Sequence, residues 1–229
     1  MEGLFITFEG LEGAGKSTQA KLLADKLTEA GYPVTLVREP GGTTVGEAIR
    51  GILADPRYDD MSALTEVFLF AASRTQLVQQ VIRPQLGEGT IVICDRFSDA
   101  TIAYQGYGRG VHPTQLREIS DICSWGVHPD LTFLIDIEPA RGLNRVRTRS
   151  VETLTKLDRF ENLDLAFFEK VRDGYMALSQ EEPYRFRVLD GTGEVEPLAR
   201  KIYELSMDMV KKRIPDPGRL SLGRKGLDS

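Results

Sequence analysis

Short apolar runs alternate with stretches of helical spacing along the chain. Leu4 to Glu9 is the first run and ends in a glycine-rich turn, which predicts a buried strand. Lys16 to Ala30 has helical spacing with Gly31 as its stop. Val34 to Arg38, Thr90 to Cys94, Leu131 to Ile137 and Phe186 to Leu189 predict four further strands. Helices are predicted at Thr43 to Leu53, Ser98 to Gln105, Thr114 to Trp125, Pro139 to Arg147, Leu163 to Gln180 and Val195 to Lys212. The longest runs from Ser62 to Leu86, with Ser62 as N-cap. Its residues Leu64, Val67, Phe68, Ala71, Val78 and Ile82 form one apolar stripe. Strands separated by helices predict an α/β fold: a five-stranded parallel sheet with helices on both faces. Ligands then bind along the edge formed by the loops that follow the strands.

Composition narrows the class. The chain has 229 residues, 41% hydrophobic and 28% charged, as expected of one soluble domain. Residues 1–213 are read as that domain and 214–229 as a mobile tail. The tail holds Pro215, Pro217, Gly218, Gly223 and Gly226 with little apolar periodicity. No segment approaches the roughly 18 apolar residues of a membrane span, so no membrane partner is expected. The start MEGLFITFEG has neither a basic head nor a cleavage site, and no signal peptide is expected. A net charge of -5 argues against nucleic acid as the main partner. Cys94 and Cys123 have no metal or redox spacing and read as reduced thiols in a cytoplasmic protein. His112 and His128 each precede a proline without a metal-ligating partner and read as surface residues.

The chemistry begins after the first strand. Gly10, Leu11, Glu12, Gly13, Ala14, Gly15, Lys16 and Ser17 fit G-x-x-x-x-G-K-[ST], between a predicted strand and a predicted helix. Glycines let successive backbone N–H groups face phosphate oxygens, and the helix dipole adds to them through Thr18. Lys16 is expected to reach the β- and γ-phosphates of ATP, and Ser17 to hold Mg²⁺. Asp95, ending an apolar run, is the candidate second Mg²⁺ residue, directly or through water. Arg96 beside it offers a fork of donors to a phosphate.

The motifs E-G-L-E-G-A-G-K-S, R-E-P-G-G (38–42), F-A-A-S-R (70–74), D-R-F (95–97), A-Y-Q-G-Y-G-R-G (103–110) and D-R-F-E (158–161) occur in this order. Together they resemble bacterial thymidylate kinases, from about residue 3 to 212. The resemblance implies a P-loop nucleoside monophosphate kinase architecture, transfer from ATP to dTMP with Mg²⁺, and a cytoplasmic homodimer. It further implies that Phe70 stacks on thymine and Arg74 donates to its O4. Thr101 and Gln105 would complete the base edge, and Tyr104 would crowd a 2′-hydroxyl. Arg50 and Arg96 would lie near the dTMP phosphate. Glu39 would lie beside metal and acceptor phosphate, in a loop shaped by Pro40 through a cis peptide bond.

The resemblance also implies a lid, at about residues 145–158. One variant of the family carries a catalytic arginine in the P-loop and the other in the lid. This P-loop has none, so the lid is expected to supply it: Arg149 first, Arg147 second, with Arg145 against the adenine. These arginines are read as a helix end running into a loop. Asp190 and Gly191 are placed near adenine, and Asp158 and Glu161 are acids without an assigned role. Two other readings are open. A deoxynucleoside kinase shares the P-loop and D-R pair but needs a carboxylate base for a sugar hydroxyl. A GTPase switch would need N-K-x-D, and no Asn-Lys pair occurs.

Overall fold

A computed structural model describes residues 3–154 and 157–214. The strands are β1 (Leu4–Glu9), β2 (Val34–Arg38), β3 (Ile91–Asp95), β4 (Leu131–Asp136) and β5 (Phe186–Asp190). They form one parallel sheet in the order β2-β3-β1-β4-β5. The buried β1, β3 and β4 lie inside it, and the partly exposed β2 and β5 form its edges. The chain leaves β1 toward one side and crosses to the other at β4, so the end of β1 lies at the switch point, where ligands bind.

The helices are α1 (Lys16–Glu29), α2 (Thr44–Ala54), α3 (Ala63–Leu77), α4 (Arg83–Gly87), α5 (Ser98–Thr101), α6 (Pro113–Ser124), α7 (Pro139–Thr153), α8 (Leu165–Glu181) and α9 (Val195–Arg213). Ser62 caps α3 by accepting from the Thr65 N–H. The helix expected to run on to Leu86 widens into a π turn at Val78–Ile82 before Pro84. Proline has no N–H to continue the regular ladder, and the wider turn accommodates its ring. A second π turn, Ile102–Gly108, continues α5 and carries Tyr104 and Gln105.

Two expectations change. The α3 stripe splits: Val67, Ala71, Val78 and Ile82 are buried, but Leu64 and Phe68 are 51% and 56% exposed. At about 100° per residue the buried face of α3 is centred on Arg74, which leaves Leu64 and Phe68 on its outer rim. Helix α7 continues past Arg147 to Thr153, so Arg145, Arg147 and Arg149 are all helical. Nothing between Gly142 and Leu154 breaks a helix, and Leu154 ends it in a left-handed conformation. Thr155 and Lys156 of the lid, and residues 215–229 of the tail, lie outside the described residues; Ile214, expected to open the mobile tail, is instead buried in the core at the end of α9.

Candidate active site

The P-loop is built from backbone. Gly10, Gly13 and Gly15 hold φ of 134°, 73° and 97°. A Cβ on Gly13 would meet the Gly142 carbonyl oxygen at 2.3 Å, so the loop packs directly on α7. Lys16 Nζ donates to the Leu11 carbonyl at 2.7 Å. Burial, then Arg96, lowers its pKa to about 8. The β1–β3 register sets Phe8 beside Asp95, and this brings the Ser17 hydroxyl to donate to Asp95 Oδ2. A hydroxyl and a carboxylate are hard oxygen donors of the kind Mg²⁺ prefers. Among the described residues no cluster of three His, Cys, Asp or Glu side chains could hold a metal by itself.

The β2–β3 register sets Arg38 beside Asp95 and so carries Glu39 to the same edge. The Glu39–Pro40 bond is cis. Glu39 faces the Arg74 guanidinium: Arg74 Nε to Oε2 is 3.1 Å and Nη2 to Oε1 is 2.5 Å. Arg74 Nη2 also donates to Thr101 Oγ1 at 2.7 Å. Arg74 is 1% exposed, and its charge is matched by Glu39. Burial raises the Glu39 pKa while Arg74 opposes the rise. Arg50 Nη1 donates to the Pro40 carbonyl at 3.1 Å.

Arg96, at φ 69°, is clasped from three sides. It donates to Tyr175 Oη at 3.0 Å, to Tyr104 Oη at 3.0 Å and to Glu12 Oε1 at 2.8 Å. Tyr104 donates to Glu12 Oε2 at 2.6 Å, and Tyr175 shares a 2.8 Å bond with Glu9. Burial pushes both tyrosines well above their usual pKa, so both stay protonated. It also pushes Glu9 up to about 8, with Asp99 adding to the rise. Thus Glu12, expected only in the phosphate loop, turns its side chain toward Tyr104 and Arg96.

One cavity of about 340 Å³ joins these parts. Glu12, Gly13, Gly15, Lys16, Ser17 and Thr18 line one part; Phe70, Arg74, Thr101, Tyr104 and Gln105 line another. Glu39, Pro40, Arg50, Asp95 and Arg96 also border it. Arg149 reaches its wall and bonds Glu161 at 3.1 Å, whereas the exposed Arg147 does not line it. Residues 145 and 149 share a helix face and 147 points away. Arg145 Nη1 bridges the carbonyls of Gly13 at 3.2 Å and Gly191 at 3.0 Å, tying the P-loop to the Asp190–Gly191 turn. His112 and His128 are exposed, and His112 caps α6.

Several side chains escaped sequence reasoning. Phe160 sits 5.9 Å from the Phe70 ring and 6.4 Å from Tyr104. It stands in the recognised D-R-F-E motif, which was a usable signal. Glu66 was the lone acid in an apolar helix segment, also a signal. Tyr175 lies mid-helix in α8, and nothing local marks it.

The sheet order, the P-loop at its switch point and the joined cavity define a P-loop kinase of nucleoside monophosphates. Comparison with known proteins names the branch. The family profile described as "Thymidylate kinase" matches residues 8–202. The thymidylate kinase of Nitratidesulfovibrio vulgaris is 44% identical over 218 residues, covering 94% of this chain and 100% of that one. That of Exiguobacterium sibiricum is 44% identical over 213 residues, covering 93% and 98%. The crystal structure of thymidylate kinase from Ehrlichia chaffeensis superposes with a TM-score of 0.70 at 34% identity, covering 90% of this chain and 99% of that one. The chain belongs to the thymidylate kinase family and is a phosphotransferase.

Proposed function

We propose how this chain performs its family's reaction, ATP + dTMP → ADP + dTDP. The observation that carries the reading is the single cavity bordered by both the P-loop and the Phe70–Arg74–Gln105 group. In-line transfer needs both substrates in one water-excluding space.

On the donor side, the Gly10–Ser17 amides and Lys16 bind the ATP phosphates. Ser17 and Asp95 would hold Mg²⁺, which would neutralise phosphate charge. Arg145, Asp190 and Gly191 border the adenine. On the acceptor side, Phe70 stacks on thymine, Arg74 donates to O4, and Thr101 and Gln105 meet the remaining edge. Arg74 can only donate, so cytosine, with an amino group at that position, sets donor against donor. Tyr104 fills the space of a 2′-hydroxyl, and Arg50 and Arg96 receive the dTMP phosphate. Glu39 acts by holding Arg74.

Residues 145–158 act as the lid within a kinase domain of residues 1–213. Arg149, not Arg147, supplies positive charge to the moving phosphoryl group, because it borders the cavity on the face shared with Arg145. The enzyme is a cytoplasmic homodimer. Val45 and Ile52 of α2 and Leu64 and Phe68 of α3 are 42–56% exposed on two helices that pack together, and a second copy covers them. No helix among the described residues is long and apolar enough to cross a membrane.

ADP release measured against a panel of nucleoside monophosphates and free thymidine tests the reading. Turnover on dTMP far above dCMP, UMP and thymidine is expected; preference for thymidine would replace it with a nucleoside kinase. Phe68→Glu should yield monomers in sedimentation.

A further inference from the structure

We propose that buried Glu66 is a positioning residue for base choice: it orients the Gln105 amide so that the carbonyl oxygen, not the NH₂, meets the base. The inference rests on the dTMP reading above and deepens it.

Glu66 stands in the first turn of α3 and is 0% exposed. Its carboxylate faces three donors. Arg159 Nη1 lies 2.7 Å from Oε2 and Arg109 Nη2 3.3 Å from it. Gln105 Nε2 donates to Oε1 at 2.7 Å. Burying a carboxylate is costly unless cations and hydrogen bonds compensate, and here two guanidinium groups do so. Arginine cannot accept, and a carboxylate held by two arginines accepts without donating. The Gln105 end that meets Glu66 must therefore be the NH₂, which assigns the amide orientation by chemistry.

The consequence falls on the other end of the amide. Gln105 is 1% exposed, lies in the π turn, and lines the cavity beside Arg74 and Thr101. Its Oε1 has no protein partner among the described residues and is left to accept from a ligand. Thymine presents N3–H as a donor beside O4 as an acceptor. Gln105 Oε1 and the Arg74 guanidinium form the complementary pair. Cytosine reverses both atoms, with a lone pair at N3 and an amino group at C4. A flipped amide would turn an NH₂ toward the base and favour cytosine N3, so Glu66 excludes the arrangement that would admit dCMP. The same carboxylate anchors Arg159, whose Nε donates to the Leu53 carbonyl at 2.9 Å and whose neighbour Phe160 packs on Phe70.

The test compares kcat/KM for dTMP, dUMP and dCMP in wild type, Glu66→Gln, Gln105→Leu and the double variant. A glutamine at 66 can donate as well as accept and no longer dictates the amide. The expected result is a loss of about 10-fold or more in the dTMP:dCMP ratio for Glu66→Gln. The dTMP:dUMP ratio should stay unchanged, because both bases share the N3–O4 edge. The double variant should match Gln105→Leu alone. Equal losses on all three acceptors, or additive effects in the double variant, would overturn the role. Wild type that does not prefer dTMP over dCMP would instead overturn the reading of the acceptor.

If Glu66→Gln does not fold, the wild-type protein still decides. The Gln105 ¹³Cδ NMR signal should move on binding dTMP but not its N3-methyl analogue, while the Nε2 protons stay in place. Movement of those protons on binding dTMP refutes the assigned orientation.

Discussion

The proposed donor and acceptor halves of the site are built by opposite means. The P-loop is eight consecutive residues whose proposed binding groups are mostly backbone N–H, shaped by glycines at positive φ. The acceptor half assembles side chains from the β2–α2 loop, α3, the turn after β3, the π turn, α8 and the segment after the lid. There the functional groups are held by other buried side chains: Arg74 by Glu39 and Thr101, Arg96 by Glu12, Tyr104 and Tyr175, Gln105 by Glu66. A backbone cradle tolerates loss of a neighbouring side chain. A side-chain network transmits such a loss to folding and specificity together.

Six substitutions would break or sharpen that contrast. The largest effect is expected at Arg149, where alanine should lower kcat and kcat/KM together by about 10³–10⁵ with KM for ATP little changed. Arg147→Ala should be near wild type. If both variants only raise KM, the catalytic charge comes from elsewhere. Next, Lys16→Ala should cut turnover by at least about 10²–10³ while calorimetry shows dTMP binding intact. Loss of dTMP affinity in that variant would mean the two halves are one unit.

Arg74→Ala should behave differently, because it leaves Glu39 buried without its partner. Urea unfolding should show a loss of about 3–5 kcal/mol besides any loss of thymine preference. Glu39→Gln in the same chain should restore part of that stability. A destabilisation below about 1 kcal/mol would show that Glu39 finds water or another donor.

The smallest effect is pH-dependent. Burial raises the folded pKa of Glu9 to about 8, above its ordinary value of 4.5. The sign follows from proton uptake: the folded state holds the proton more tightly. Its stabilising contribution is therefore complete below about pH 4.5 and is lost as pH rises through about 8. Glu9→Gln is neutral throughout and should flatten this decline in urea midpoints between pH 5 and 9. An unchanged slope would assign the decline to other groups.

The contrast also explains what could be read early. The five strands and the P-loop were legible because they are local: an apolar run, a glycine pattern, a helix start. Ser62 was identified as a cap for the same reason. The π turns were not, since apolar spacing does not distinguish a widened turn from a regular one. Leu64 and Phe68 belong to the apolar stripe yet stay exposed, because a stripe reports apolar character, not which neighbour covers it. The motifs singled out Arg74 and Arg96 as candidate site residues but left their partners unnamed.

By itself, then, the sequence determined the alternation of strands and helices, the glycine turn between β1 and α1, and the family. Each rests on contacts between residues close in the chain or on a motif of fixed spacing. Only the tertiary structure decided that Arg74 forms the buried centre of α3, that Arg149 and not Arg147 borders the cavity, and that Glu66 and Tyr175 stand behind Gln105 and Arg96. The last two pairings join residues 39 and 79 positions apart. Sheet register and helix rotation bring them together, and neither is encoded in any short stretch of the chain.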